Sequence, residues 1–118
     1  MLGIIGAMDV EVASIKAKVK DAVETEIAGI VFVCGTIENV MVTVAQCSPG
    51  KVNASLCTQI MIDRFKPDAI INVGVGCSLS SDVIIKNVVI IATTSIIIFS
   101  CIIAHLKKVV QFLLRFFL

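Results

Sequence analysis

Two carboxylates, Asp9 and Glu11, stand just behind a turn of small residues, and they are the side chains best placed for chemistry. The stretch Leu2–Val12 reads LGIIGAMDVEV. An apolar run, Leu2–Ile5, ends at Gly6-Ala7 and gives way to helix-like spacing. That is the pattern of a buried strand, a tight turn and a helix whose first turn carries two acids. In open α/β sheets, ligands bind beyond the carboxyl ends of the strands, where such turns lie. A carboxylate there, Glu11 above all, is placed to act as a general base. The competing reading is that Asp9 and Glu11 only complement the positive end of the helix dipole.

A second turn of the same kind follows Ala69–Val73, in Gly74-Val75-Gly76-Cys77-Ser78. If both strands share a sheet, the two turns line one cleft. The plainer reading is that these glycines only permit tight turns. Gly74-x-Gly76 lacks the full dinucleotide-binding spacing, so a Rossmann site is not indicated.

The intervening elements must hold those turns. Asp9 can cap a helix over Val10–Lys20, with Val12, Ile15 and Val19 at helical spacing and three lysines toward its end. Glu26–Ile37 is rich in β-branched residues around a central glycine and reads as one strand. Glu38-Asn39 is a turn into a further strand, Val40–Ala45. Ser48 and Pro49 suit the cap and first position of a helix running to about Arg64, with Val52, Leu56 and Ile60 as its inner face. Pro67 stops that helix. Ala69–Val73 is a continuous apolar run, typical of a parallel strand covered on both faces. Alternating strands and helices give an α/β fold.

At 118 residues the chain is the size of one domain. Its net charge of +1 gives no reason to expect nucleic acid or an acidic substrate. Residues 1–86 carry seven basic and nine acidic side chains, whereas 87–118 carry three basic and none acidic. The five cysteines, Cys34, Cys47, Cys57, Cys77 and Cys101, form no CxxC pair and no metal-ligand cluster. Odd and scattered, they read as reduced core thiols of a cytoplasmic protein. The N-terminal residues lack the basic and long apolar regions of a secretory signal.

Three segments taken together, GIIGAMDVEV (Gly3–Val12), GKVNA (Gly50–Ala54) and KPDAIINVG (Lys66–Gly74), resemble the N-terminal half of the methylthioadenosine/S-adenosylhomocysteine nucleosidases. These belong to the purine nucleoside phosphorylase-like superfamily. The resemblance implies a phosphorylase/hydrolase-like α/β fold with a mixed central sheet and flanking helices, covering residues 1–91. It implies hydrolysis of the N-glycosidic bond of an adenine thio-nucleoside, with release of adenine, no metal or organic cofactor, and a homodimer. By motif position Glu11 is the base that activates water. Met8, Val75, Gly76 and Cys77 fall at substrate-binding positions. Val75 stands where the family has a serine that helps hold the water. Cys77 replaces a glycine lining the base pocket, and Pro49 an apolar residue of the alkylthio pocket. The family's ribose-binding Met-Glu pair and the aspartate that protonates adenine have no counterpart among these residues. The resemblance therefore implies impaired activity; the rival is a non-catalytic remnant or interaction module.

Residues 92–118 depart from the family pattern. Val88–Ala104 is 17 residues without a charge. As a helix it would span about 26 Å, against a bilayer core of about 30 Å. Three readings stand: sequence from a shifted frame or altered splicing, a membrane anchor, or ordinary core packed on the sheet. Basic residues after His105 would keep the C-terminus cytoplasmic and export the thiol-rich body, so association with the membrane surface fits better than a span.

Overall fold

The computed structural model describes residues 1–75. Expectations for Gly76, Cys77, the boundary at residues 91/92 and the tail lie outside the described residues. Within them the elements are β1 (Leu2–Gly6), α1 (Asp9–Lys16), β2 (Lys20–Ile27), β3 (Ile30–Ile37), β4 (Val40–Gln46), α2 (Lys51–Phe65) and β5 (Ala69–Val73). The strands form one mixed sheet in the order β2-β3-β4-β1-β5. β1 is parallel to both neighbours: Gly6 stands opposite Gln46 of β4 and Val73 of β5. The two strand ends followed by glycine turns are therefore adjacent, as the sequence suggests.

β1 is apolar without alternation because both its faces are covered. Alternate side chains point to opposite faces of a sheet. A Cβ on Gly3 would meet Met61 of α2, whereas one on Gly6 would meet Val12 of α1. The two helices accordingly lie on opposite faces. The α2 face holds the main core: Ile5, Phe32, Ala45, Cys47, Cys57 and Met61, with the Phe32 and Phe65 rings 5.0 Å apart. At the far end of β1, the Met1 amino group pairs with the Asp68 carboxylate, and the Asp68 amide donates to the Met1 carbonyl at 2.9 Å. This clasp joins the starts of β1 and β5. Thr43, the buried polar side chain among the described residues, donates its hydroxyl to Met1 Sδ and lies 3.4 Å from Cys34 Sγ.

Several expectations are corrected. Glu26–Ile37 is not one strand but the end of β2, a turn and β3. Ala28 and Gly29 both have positive φ, 53° and 76°, the geometry of a two-residue hairpin turn. The central glycine marks a reversal. Glu38 and Asn39 form the foreseen second turn in the same way, with φ of 47° and 67°.

The first helix ends at Lys16, not Lys20. Amides of Lys18 and Val19 bond three residues back, tightening the last turn, and Lys20 already pairs with Thr36. Met8, not Asp9, is the N-cap residue. Gly50, not Ser48, occupies the cap of α2, with Pro49 outside the helix. Lys66 ends α2 in the left-handed conformation before Pro67.

The inner face of α2 is also different. Val52 is 77% exposed and Leu56 49%. The buried row is Cys57 and Met61, flanked by Ala54, Ile60 and Phe65. β5, expected to be covered on both faces, is half-buried at Ile70, Ile71 and Val73 and exposed at Ala69 and Asn72. It is the last strand on its side among the described residues.

Candidate functional site

The site is built on the carboxyl ends of β1 and β5. β1 stops at Gly6, where a side chain has no room: a Cβ would stand 2.7 Å from Val12 Cγ1 and 3.2 Å from the Val73 carbonyl oxygen. The chain turns through Ala7, and Met8 takes an extended conformation before α1 begins. Glu11 is the third residue of that helix. Its carboxylate reaches back, and Oε2 accepts the Met8 amide at 2.9 Å. This is the reciprocal arrangement by which a glutamate satisfies an orphan amide at a helix start.

The other oxygen faces β5. Glu11 Oε1 accepts the Val75 amide at 3.2 Å. Gly74 lies so close that a Cβ there would be 3.1 Å from the same oxygen. The carboxylate is thus held from both sides, by the turn after β1 and by the two residues that follow β5. Asp9 takes the position nearest the helix start and is exposed. Glu11 does complement the helix end, as the plainer reading holds, and it also bridges the segments that follow β1 and β5.

The other predicted residues fall as follows. Met8 contributes its amide to Glu11, and its side chain is 38% exposed. Val75 contributes its amide too, while its side chain is 81% exposed. Gly76 and Cys77 lie outside the described residues.

Cys47, which the sequence presents only as a core thiol, closes the floor. It follows β4, is 4% exposed, and donates its thiol to the Gly6 carbonyl at 3.3 Å. Burial pushes this thiol above its ordinary range; its own amide works against that, and the nearby Glu11 charge adds to it. Cys57 beneath it is pushed up to about 11, first by burial and then by Cys47. Nothing in the spacing of Cys47 foretells its partner, because the acceptor is a backbone carbonyl distant in sequence. Among the described residues no group of three or more His, Cys, Asp or Glu side chains is arranged to hold a metal ion.

A carboxylate fixed by two amides retains lone pairs on both oxygens. It can orient a water or take a proton from one. Of the other carboxyls, Asp63 accepts Gln59 Nε2 at 3.0 Å, and Asp68 is held by the N-terminal amino group.

Comparison with known proteins agrees with this architecture. Residues 1–99 match the Phosphorylase superfamily. The chain is 43% identical over 89 residues to a 5'-methylthioadenosine/S-adenosylhomocysteine nucleosidase of Oceanobacillus iheyensis, covering 75% of this chain and 39% of that protein. It is similar in structure to such a nucleosidase from Colwellia psychrerythraea in complex with adenine, with TM-score 0.60 and 48% identity, over 60% of this chain and 29% of the other. A Helicobacter pylori variant with 5'-methylthioadenosine in the active site aligns with TM-score 0.66 and 35% identity, over 71% of this chain and 37% of that one. The chain thus spans well under half the length of the relatives it matches. With the superfamily match running through most of its length, the chain belongs to the phosphorylase superfamily, and the relatives it resembles there are methylthioadenosine/S-adenosylhomocysteine nucleosidases.

Proposed function

We propose that residues 1–91 supply the base-bearing part of an adenine thio-nucleoside hydrolase site. In this reading Glu11 activates the water that cleaves the N-glycosidic bond of methylthioadenosine or S-adenosylhomocysteine. The observation that carries it is the Glu11 carboxylate spanning the Met8 and Val75 amides at the ends of two adjacent parallel strands. A base must lie within hydrogen-bond reach of the proton it takes, about 3 Å. These two amide bonds hold the carboxylate over the strand ends, where a nucleoside in the cleft would meet it. Met8, Val75, Gly76 and Cys77 are the residues assigned to line the substrate. The adenine-bound Colwellia relative supports the ligand class. The cytoplasm is the compartment, a second copy the partner and residues 92–118 a separate tail with membrane-surface affinity.

Adenine leaves poorly unless it is protonated, and neither Asp63 nor Asp68 is free beside Glu11 to do so. The 118-residue polypeptide by itself is therefore expected to release adenine at near background, and Glu11→Gln to change that little. The decisive experiment restores the missing groups. Residues 1–75 are joined to the C-terminal portion of the Oceanobacillus iheyensis relative. This chimera should release adenine from methylthioadenosine, and Glu11→Gln should lower its kcat by about 10²–10⁴-fold. A folded chimera that releases none, or that is indifferent to Glu11→Gln, refutes the assignment.

A further inference from the structure

The Gly6 carbonyl is the last acceptor of β1. It takes two donors from one residue, the Cys47 amide at 2.8 Å and the Cys47 thiol at 3.3 Å. Two donors on the two lone pairs of a carbonyl restrict the tilt of its peptide plane more than either alone. That plane begins the turn through Ala7. Two residues after Gly6, Met8 presents the amide that Glu11 Oε2 accepts.

Gly6 is gripped from its other sides as well. A Cβ on it would run into Val12 of α1 and the Val73 carbonyl of β5. The three elements around Glu11 thus meet at one backbone position, and Cys47 is the side chain that pins it. We propose that the Cys47 thiol is a positioning residue for Glu11, fixing the Gly6-Ala7 turn so that the carboxylate bridges Met8 and Val75. Cys47 is shut away from water, so solvent does not compete for the Gly6 carbonyl. Burial and the Glu11 charge both favour the neutral thiol, which keeps it a donor through the neutral range. A hydroxyl at position 47 would make the same bond; a methyl would not.

The role of Cys47 rests on Glu11 being the base, but its test reads geometry rather than turnover. In the isotope-labelled 118-residue chain, kept soluble with mild detergent, the Met8 and Val75 amide signals are followed by NMR. Glu11→Gln should displace both, and Asp9→Asn should leave both in place. In a Cys47→Ala background the displacement that Glu11→Gln causes at Met8 should fall by at least half, and in a Cys47→Ser background it should return. A folded Cys47→Ala chain in which Glu11→Gln moves Met8 as it does in the parent, or a serine that fails to restore what alanine loses, overturns the proposal. A purely structural thiol would lower thermal stability without altering that displacement. If Cys47→Ala does not fold, Cys47→Ser decides by itself: it should keep the Met8 and Val75 amide signals of the parent, and a folded serine chain in which both take the positions seen in Glu11→Gln overturns the proposal. Should the NMR result hold while the chimera releases no adenine, it is the hydrolase reading that falls and not the geometry.

Discussion

That Glu11 would stand beside a strand-end turn was legible in the sequence, as a carboxylate set just behind small residues. The bonds that Val75 and Cys47 make were not, for a physical reason. Val75 acts through its amide, which every residue but proline carries, so its side chain says nothing about the bond. Cys47 acts on a carbonyl brought near by β1–β4 pairing, a contact no local pattern encodes. The buried thiols also make stability depend on pH. The ordinary Cys57 value of 9.0 is raised to about 11 in the fold. Below the lower value both states hold the proton and the contribution is complete. Between the two values the unfolded chain releases it while the folded chain does not, so stability falls as pH rises. Urea unfolding midpoints should therefore decline across that window, and Cys57→Val should flatten the decline.

At the level of elements, the sheet was legible and the helix faces were not. β1, β4 and β5 announce themselves as apolar runs bounded by turn residues. The β2–β3 hairpin was hidden because its turn, Ala28-Gly29, is too short to interrupt a β-branched pattern. In α2 the large aliphatics Val52 and Leu56 were misleading. The row against the sheet uses Ala54, Cys57, Met61 and Phe65, whose mixed sizes let the helix sit close above Gly3. The two assignments predict opposite mutational costs. Met61→Ala should destabilise the chain by about 2–5 kcal/mol, since it empties a fully buried site. Val52→Ala should stay within about 0.5 kcal/mol, as exposed substitutions do. Equilibrium denaturation of both variants checks the order, and equal losses would mean that α2 packs on its other face.

For the whole molecule, the described residues contain no helix long and apolar enough to cross a membrane. The uncharged run Val88–Ala104 is the part of the sequence with membrane-like composition. We expect the purified 118-residue chain to self-associate or to partition into detergent. Removing residues 92–118 should raise its solubility, read by sedimentation and size-exclusion chromatography. The opposing effect applies if the tail packs on the sheet as core: its loss would then expose an unpaired strand to other chains. A full-length chain that stays monomeric at high concentration without detergent would contradict this expectation.

The place of β1 in the sheet has a bearing on biosynthesis. Leu2–Gly6 is synthesised before both of its partners, Val42–Gln46 on one side and Ala69–Val73 on the other. The β2–β3–β4 meander can close by local turns while β1 still waits for its partners. Pairings between segments so far apart in sequence are slow to form, since loop closure must precede the contacts that reward it. The strand that carries the candidate site is therefore an early-made, late-docked element. During synthesis it exposes an aliphatic segment suited to capture by a chaperone, and Glu11 acquires its second amide partner only once β5 has been made.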